Sequence, residues 1–235
     1  MPSKMLVANT LSTIKQLTTT ASAEQQNNAT YCEVYLVRHG ETDWNKRGKG
    51  ETNIPLNETG EKQALQISVK LEAITFSSVF SSDTHRAHKT AHIILGKKNI
   101  PITQTPALRE RSFGAWEGHS RNAFEAWVKT QPKRDVISQE HYLSHKWNGE
   151  FESLREVYTR VANFMIALTS SQHMGAVILC CAHSGVLRAF LCTLDFRSGF
   201  SWHVANCALL RLRLDKNGTI TLVNHEGCQL MIEQY

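Results

Sequence analysis

Leu36-Val37-Arg38-His39-Gly40-Glu41-Thr42-Asp43-Trp44-Asn45 is the stretch whose reading decides the fold. It closes an apolar run, Val34-Tyr35-Leu36-Val37, that reads as a buried strand of a parallel sheet. An Arg and a His follow at the strand's carboxyl end, where open α/β sheets place their ligands. Gly40 has no Cβ, so the backbone can turn sharply there and approach a ligand closely. Together these residues read as an anion site holding a nucleophile. The plainer reading is a strand followed by a polar turn whose His caps something.

A second apolar run, Ala176-Val177-Ile178-Leu179-Cys180-Cys181, also ends in a His, at His183. Between the two runs, strands and helices alternate. Asn57-Glu58-Thr59-Gly60 opens a helix with Ala64, Leu65, Ile67, Leu71 and Ile74 on its apolar face. Ser78-Val79-Phe80-Ser81 is a short strand, residues 84–95 form a helix, and Ile100-Pro101-Ile102 begins a third strand. Residues 120–150 carry two Trp and Pro132 without a strand pattern and read as a helical insertion. Residues 153–170 place Leu154, Val157, Tyr158, Val161, Phe164, Met165 and Leu168 at helical spacing. A helix over 185–194 and two strands near 206–214 and 219–224, joined by Asp215-Lys216-Asn217-Gly218, complete the chain. The pattern predicts a three-layer α/β/α sandwich with a mainly parallel central sheet and the insertion over the active site.

The chain has 235 residues, 41% of them hydrophobic and 20% charged, enough for one α/β domain with a real core. Residues 1–30 are rich in Ser, Thr, Ala, Asn and Gln and read as a flexible tail, or as a short helix using Met5, Leu6, Leu11, Ile14 and Leu17. Residues 31–235 read as one domain. A formal charge of +5 suits anionic substrates, but no Lys/Arg block marks a nucleic-acid binder. No apolar run approaches a bilayer's span. The six cysteines show no Cys-x-x-Cys pair and no framework spacing, which points to a reducing compartment, and the expected location is cytoplasmic.

Arg-His-Gly-Glu-Thr-x-x-Asn at a strand-to-loop junction resembles the histidine phosphatase superfamily, in the branch that includes cofactor-dependent phosphoglycerate mutases. Ser81-Ser82-Asp83-Thr84-His85-Arg86-Ala87-His88-Lys89-Thr90-Ala91 matches that family's Ser-Ser-x-x-x-Arg-Ala-x-x-Thr-Ala pattern. Leu108-Arg109-Glu110 and Phe113-Gly114-Ala115-Trp116-Glu117-Gly118 resemble a further segment. Glu152-Ser153 with Arg160, and His183-Ser184-Gly185-Val186-Leu187-Arg188, are downstream matches. Phe151 stands where the family more often has Gly, and Ala182 where it has Ser or Thr.

The resemblance implies that His39 attacks phosphorus and that His183, Arg38 and Arg86 hold the phosphoryl oxygens. Asn45, Thr42 and Ser184 fall at further phosphate contacts, and Glu110 in the general acid/base position. Such chemistry needs fixed cationic donors, a neutral imidazole and a proton for the leaving oxygen. It requires no metal and no organic cofactor. The expected activity is hydrolysis of a small phosphorylated metabolite. The alternatives are a phosphoglycerate mutase or an interaction protein on an inactive phosphatase scaffold. A homodimer is compatible with the sequence.

Three local patterns compete with this reading. His85, His88 and His92 share a helix face and could ligate a metal. Cys180, Cys181 and His183 invite a zinc site, although adjacent strand residues point to opposite faces. Trp127, Trp147 and Tyr142, with Lys129, Lys133, Arg134, His141, His145 and Lys146, read as a substrate entrance or as a solvated helical face. Glu110 could simply pair with Arg109 or Arg111.

Overall fold

The computed structural model describes residues 30–43, 54–130, 138–146, 151–169, 174–197 and 200–232. Asn45, Trp147, Lys133, Arg134 and the tail residues through 29 lie outside them. The strands are β1 (Tyr31–Arg38), β2 (Ser78–Ser82), β3 (Ile102–Thr105), β4 (Val177–Ala182), β5 (Phe200–Asp215) and β6 (Ile220–Ile232). The helices are α1 (Glu58–Lys70), α2 (His85–Leu95), α3 (Arg121–Thr130), α4 (Gln139–Ser144), α5 (Leu154–Leu168) and α6 (Ser184–Leu194).

One sheet runs in the order β3-β2-β4-β1-β5-β6. The pairs β3·β2, β2·β4 and β4·β1 are parallel, whereas β5 is antiparallel to both β1 and β6. The sheet is therefore mixed, with a parallel body and an antiparallel hairpin at one edge. That hairpin is longer than the sequence reading: β5 starts at Phe200 and β6 runs to Ile232, and Trp202, Val204 and Cys228 of the added half alternate into the larger core. The polar Asn224, Glu226 and Gln229 of β6 interrupt its apolar pattern, and the register against β5 shifts between Val204 and Leu209.

Both faces of the sheet are covered. Cys32, Val34 and Leu36 of β1, with Ile178 and Cys180 of β4, pack against α5 and α6 in the larger core. Tyr35, Val37, Leu179 and Cys181 point the other way, onto Phe76 and α2's Ala91, Ile94 and Leu95. This is the period-2 alternation of a strand buried on both faces, which is why β1 and β4 read as unbroken apolar runs. It also places Cys180 and Cys181 in opposite cores, so they cannot share one ion with His183. All six cysteines are buried free thiols.

Helix starts follow local chemistry. The Asn57 side chain accepts from Gly60 N at 2.8 Å and caps α1. Ser153 and Glu156 form a full capping box on α5. In the insertion, Phe151 is the buried centre of an aromatic cluster with Phe113, Trp116, Phe124 and Trp127. Its ring stacks on Trp127 at 6.0 Å and on Phe124 at 5.8 Å. That accounts for a large ring where Gly is commoner, and it makes Trp127 part of a small core. Tyr142, read as an entrance residue, is buried in the larger core against Phe196. Ala182 is buried there too. Among the described residues no helix is long and apolar enough to cross a membrane.

Candidate active site

Strand register brings the two histidines together. Arg38 on β1 pairs with Ala182 on β4, so the next residues, His39 and His183, emerge side by side from the same edge. His39 N donates to Ala182 O at 3.0 Å, and the two rings lie 5.0 Å apart, nearly edge to face. Ser81 of β2 pairs with Cys181, which brings the β2–α2 turn alongside and delivers Arg86 from the first turn of α2. His39, His183 and Arg86 are 0%, 0% and 3% exposed, so all three side chains are buried.

Arg86 sets the proton positions. A guanidinium can only donate. Its Nε donates to His39 Nε2 at 3.2 Å, so Nε2 carries the lone pair and the ring proton sits on Nδ1, which donates to Gly40 O at 2.7 Å. A terminal guanidinium nitrogen of Arg86 lies 3.3 Å from His183 Nδ1. His183 is therefore protonated on Nε2, which donates to Thr84 Oγ1 at 3.3 Å. Both imidazoles are held neutral. Burial is the main cause in each, pushing the pKa well below 6.5, and Arg38 and Arg86 push His39 further. For His183 the neighbouring His39 adds to the effect before the arginines do.

The His39 loop is pinned from three directions. Arg38 donates from a terminal nitrogen to Val204 O at 2.6 Å. Asn206 Nδ2 and Cys207 N both donate to His39 O, at 3.2 and 3.3 Å. They come from an irregularity in β5 between Val204 and Leu209, where Cys207 adopts φ 56°. Burial pushes the Cys207 thiol up to about 12, so it stays protonated. From the other side, Thr90 Oγ1 accepts Gly40 N at 3.1 Å and donates to Arg86 O at 2.8 Å, tying the His39 loop to the helix that carries Arg86. Thr42 is buried beside this loop.

Gly40 is also required where the chain meets the start of α1. A Cβ there would lie 2.3 Å from Gly60 O, and one on Gly60 would lie 2.1 Å from Glu41 O. This close approach is to the start of α1, backbone on backbone.

Of the two arginines next to Glu110 in sequence, Arg109 is engaged elsewhere. It forms a bidentate pair with Asp83. The Glu110 carboxylate rests on the N-terminus of α6. Oε1 accepts Gly185 N at 2.7 Å and Arg111 N at 2.8 Å, while Oε2 accepts Ser184 Oγ at 3.0 Å. Gly185 makes the room, since a Cβ there would meet Oε1 at 2.2 Å. Sequence reasoning missed Thr84, Thr90, Asn206 and Gly185. Thr84, Thr90 and Gly185 lie inside the quoted motifs, whereas Asn206 carries no local signal.

An α/β domain with two buried, oppositely protonated histidines bridged by one arginine at the carboxyl ends of parallel strands is the class defined here. The chain belongs to the histidine phosphatase superfamily (branch 1), whose family model matches residues 34–226. Phosphoglycerate mutase-like protein 4 of Arabidopsis thaliana is 31% identical over 163 residues, 68% of this chain and 69% of that one. The uncharacterized phosphatase PhoE of Bacillus subtilis is 42% identical over 87 residues, but the match covers 36% of this chain and 45% of that protein, under half of its length. A crystal structure of phosphoserine phosphatase from Entamoeba histolytica, in complex with 3-phosphoglyceric acid, superposes with a TM-score of 0.64. It is 25% identical and covers 83% of this chain and 96% of its own.

Proposed function

We propose that the protein is a phosphomonoesterase that hydrolyses a small phosphorylated metabolite through a phosphohistidine on His39. The observation that carries this reading is the contact of Arg86 Nε with His39 Nε2 while Nδ1 faces Gly40 O, which leaves a neutral Nε2 lone pair on a buried ring among cations. In the first step Nε2 attacks phosphorus as the bond to the alcohol oxygen breaks. Arg86 turns from the imidazoles to the phosphoryl oxygens, and Arg38 and His183 Nε2–H hold the others. The Nδ1–H bond to Gly40 O stabilises the charge that grows on the ring.

Glu110 gives the departing alkoxide its proton. Two backbone N–H groups occupy Oε1, so Oε2 is the oxygen that carries the proton, and the Ser184 hydroxyl can donate to it or accept from it. Water then attacks phosphorus, Glu110 takes back a proton, and the bond from phosphorus to Nε2 breaks. The sum is ester plus water giving alcohol plus phosphate. Neither a metal nor an organic cofactor enters these steps.

Hydrolysis is favoured over mutase activity by the open groove of about 560 Å³ beside Glu110. Its cations Arg109, Lys146 and Arg160 each already face a carboxylate, on Asp83, Glu156 and Glu152. Among the described residues of that wall, a second anionic group on the substrate would meet cations already paired. The mutase reading draws on the Arabidopsis relative's name and predicts stimulation by bisphosphoglycerate.

The deciding experiment is phosphate release from a panel of monoesters, in chelator, with His39→Ala as control. Release that disappears in the variant supports the reading. Release that survives in the variant, or phosphoryl transfer stimulated above hydrolysis by bisphosphoglycerate, refutes it.

A further inference from the structure

Arg160 and Glu152 lie on and before α5, outside the histidine cluster, yet nearly every bond they make goes to the loop that carries Glu110. The pair is bidentate, with Arg160 Nε to Glu152 Oε1 at 2.6 Å and a terminal nitrogen to Oε2 at 2.9 Å. The two side chains are 26% and 18% exposed. The other terminal nitrogen of Arg160 reaches the Ala107 carbonyl at 2.7 Å, and the one that bonds Glu152 also donates to the carbonyls of Arg109 at 2.9 Å and Glu110 at 3.0 Å. Glu152 takes the other flank. Its Oε2 accepts Ser112 N at 3.2 Å, its own N–H donates to Ser112 O at 3.1 Å, and its carbonyl accepts from Arg111 Nε.

We propose that the Arg160–Glu152 pair is a positioning device for the Glu110 carboxylate and so controls proton delivery to the leaving group. The assignment rests on the reading of Glu110 as general acid and base. The tip of Glu110 is held by the N-terminus of α6, and its backbone is held on both sides by this one ion pair. Neither anchor suffices alone. A backbone released by the loss of Arg160 lets the carboxylate slide along α6, and displacement of a catalytic group by about 1 Å costs on the order of 100-fold in rate. Only Arg has the planar fork that can serve a carboxylate and several carbonyls at once, so Lys is not an adequate replacement.

Leaving-group dependence separates this role from scaffolding. Aryl phosphates leave without a proton, whereas alkyl phosphates need one. The test measures kcat and KM of the full chain across a series of aryl and alkyl phosphate monoesters for wild type, Glu110→Gln, Arg160→Met, Arg160→Lys, Glu152→Gln and the Glu110→Gln/Arg160→Met double variant. Expected is a fall in kcat of about 100-fold on alkyl esters for Arg160→Met, against roughly threefold on aryl esters, with KM little changed. Arg160→Lys should resemble Arg160→Met rather than wild type. In the Glu110→Gln background, removing Arg160 should cost no more than about twofold further on alkyl esters, because both changes disable one function.

Equal losses across the series, a change confined to KM, or additive losses in the double variant would overturn the proposal. If Arg160→Met does not fold, Glu152→Gln decides: it must show the same selective loss, and uniform rates sink the idea. A Glu110→Gln variant that itself shows no leaving-group dependence locates the failure in the acid reading. Selective loss in Glu110→Gln with a uniform loss in Arg160→Met locates it in the positioning role.

Discussion

Holding His39 and His183 neutral makes the stability of the ligand-free protein depend on pH below about 6.5. Both rings are fully buried, and both pKa values are pushed well below the ordinary 6.5. Below about pH 6.5 the unfolded chain therefore binds two protons that the folded chain refuses, so stability falls as pH falls. The contribution is fully present above the unfolded value and is lost progressively as pH drops from there toward the depressed folded values. Each refused proton is worth about 1.4 kcal/mol per pH unit, hence roughly 2.7 kcal/mol per unit for the pair. Asp83, Glu140, Glu156 and Asp215 have lowered pKa values, so their contributions persist above the carboxylate range and fail only at lower pH. The imidazoles thus act in the interval from about pH 6.5 to 5. His88 is also pushed down, mainly by partial burial, and comparing variants that all retain it cancels its share. Urea unfolding across about pH 7.5 to 5, for wild type, His39→Asn, His183→Gln and the double variant, measures the slopes. Each single change should flatten the dependence by roughly 1.4 kcal/mol per unit, and the double change by about twice that. A double variant that keeps the wild-type slope would refute the assignment of neutral, buried rings.

Thr90→Val preserves shape but leaves the Gly40 N–H buried without its acceptor, so unfolding free energy should drop by about 1–3 kcal/mol in denaturant titration. Thr90→Ser should recover most of that loss. Gly185→Ala drives a methyl into Glu110 Oε1 and should slow alkyl phosphates far more than aryl phosphates, with a melting temperature close to wild type. Equal slowing of both substrate types would count against the acid role. Gly40→Ala forces backbone apart at the start of α1 and should cost roughly 3 kcal/mol or prevent folding, read by circular dichroism and thermal melting.

Much of the architecture was legible locally because its causes are local. A strand buried on both faces must be apolar throughout, and β1 and β4 advertise themselves that way. The caps at Asn57 and Ser153 announce α1 and α5 because the bonds they make span three residues. Four of the phosphate-site candidates, Arg38, His39, Arg86 and His183, stood out because they follow strands and fall in recognisable strings. The structure does place His39, Arg86 and His183 in mutual contact.

Other features came from pairings between distant segments, which no local pattern encodes. The alignment of Arg38 with Ala182 makes two strand ends into one site. The irregularity at 205–208 brings Asn206 and Cys207 to the His39 carbonyl, although nothing near Asn206 in sequence distinguishes it from a loop residue. The tight backbone contact of Gly40 is with Gly60, twenty positions away. The amino-acid sequence by itself determined which side chains were available and at which element ends they would sit. Tertiary structure alone decided which nitrogen of each imidazole carries the proton, because that depends on a single guanidinium buried between two rings that arrive from separate strands.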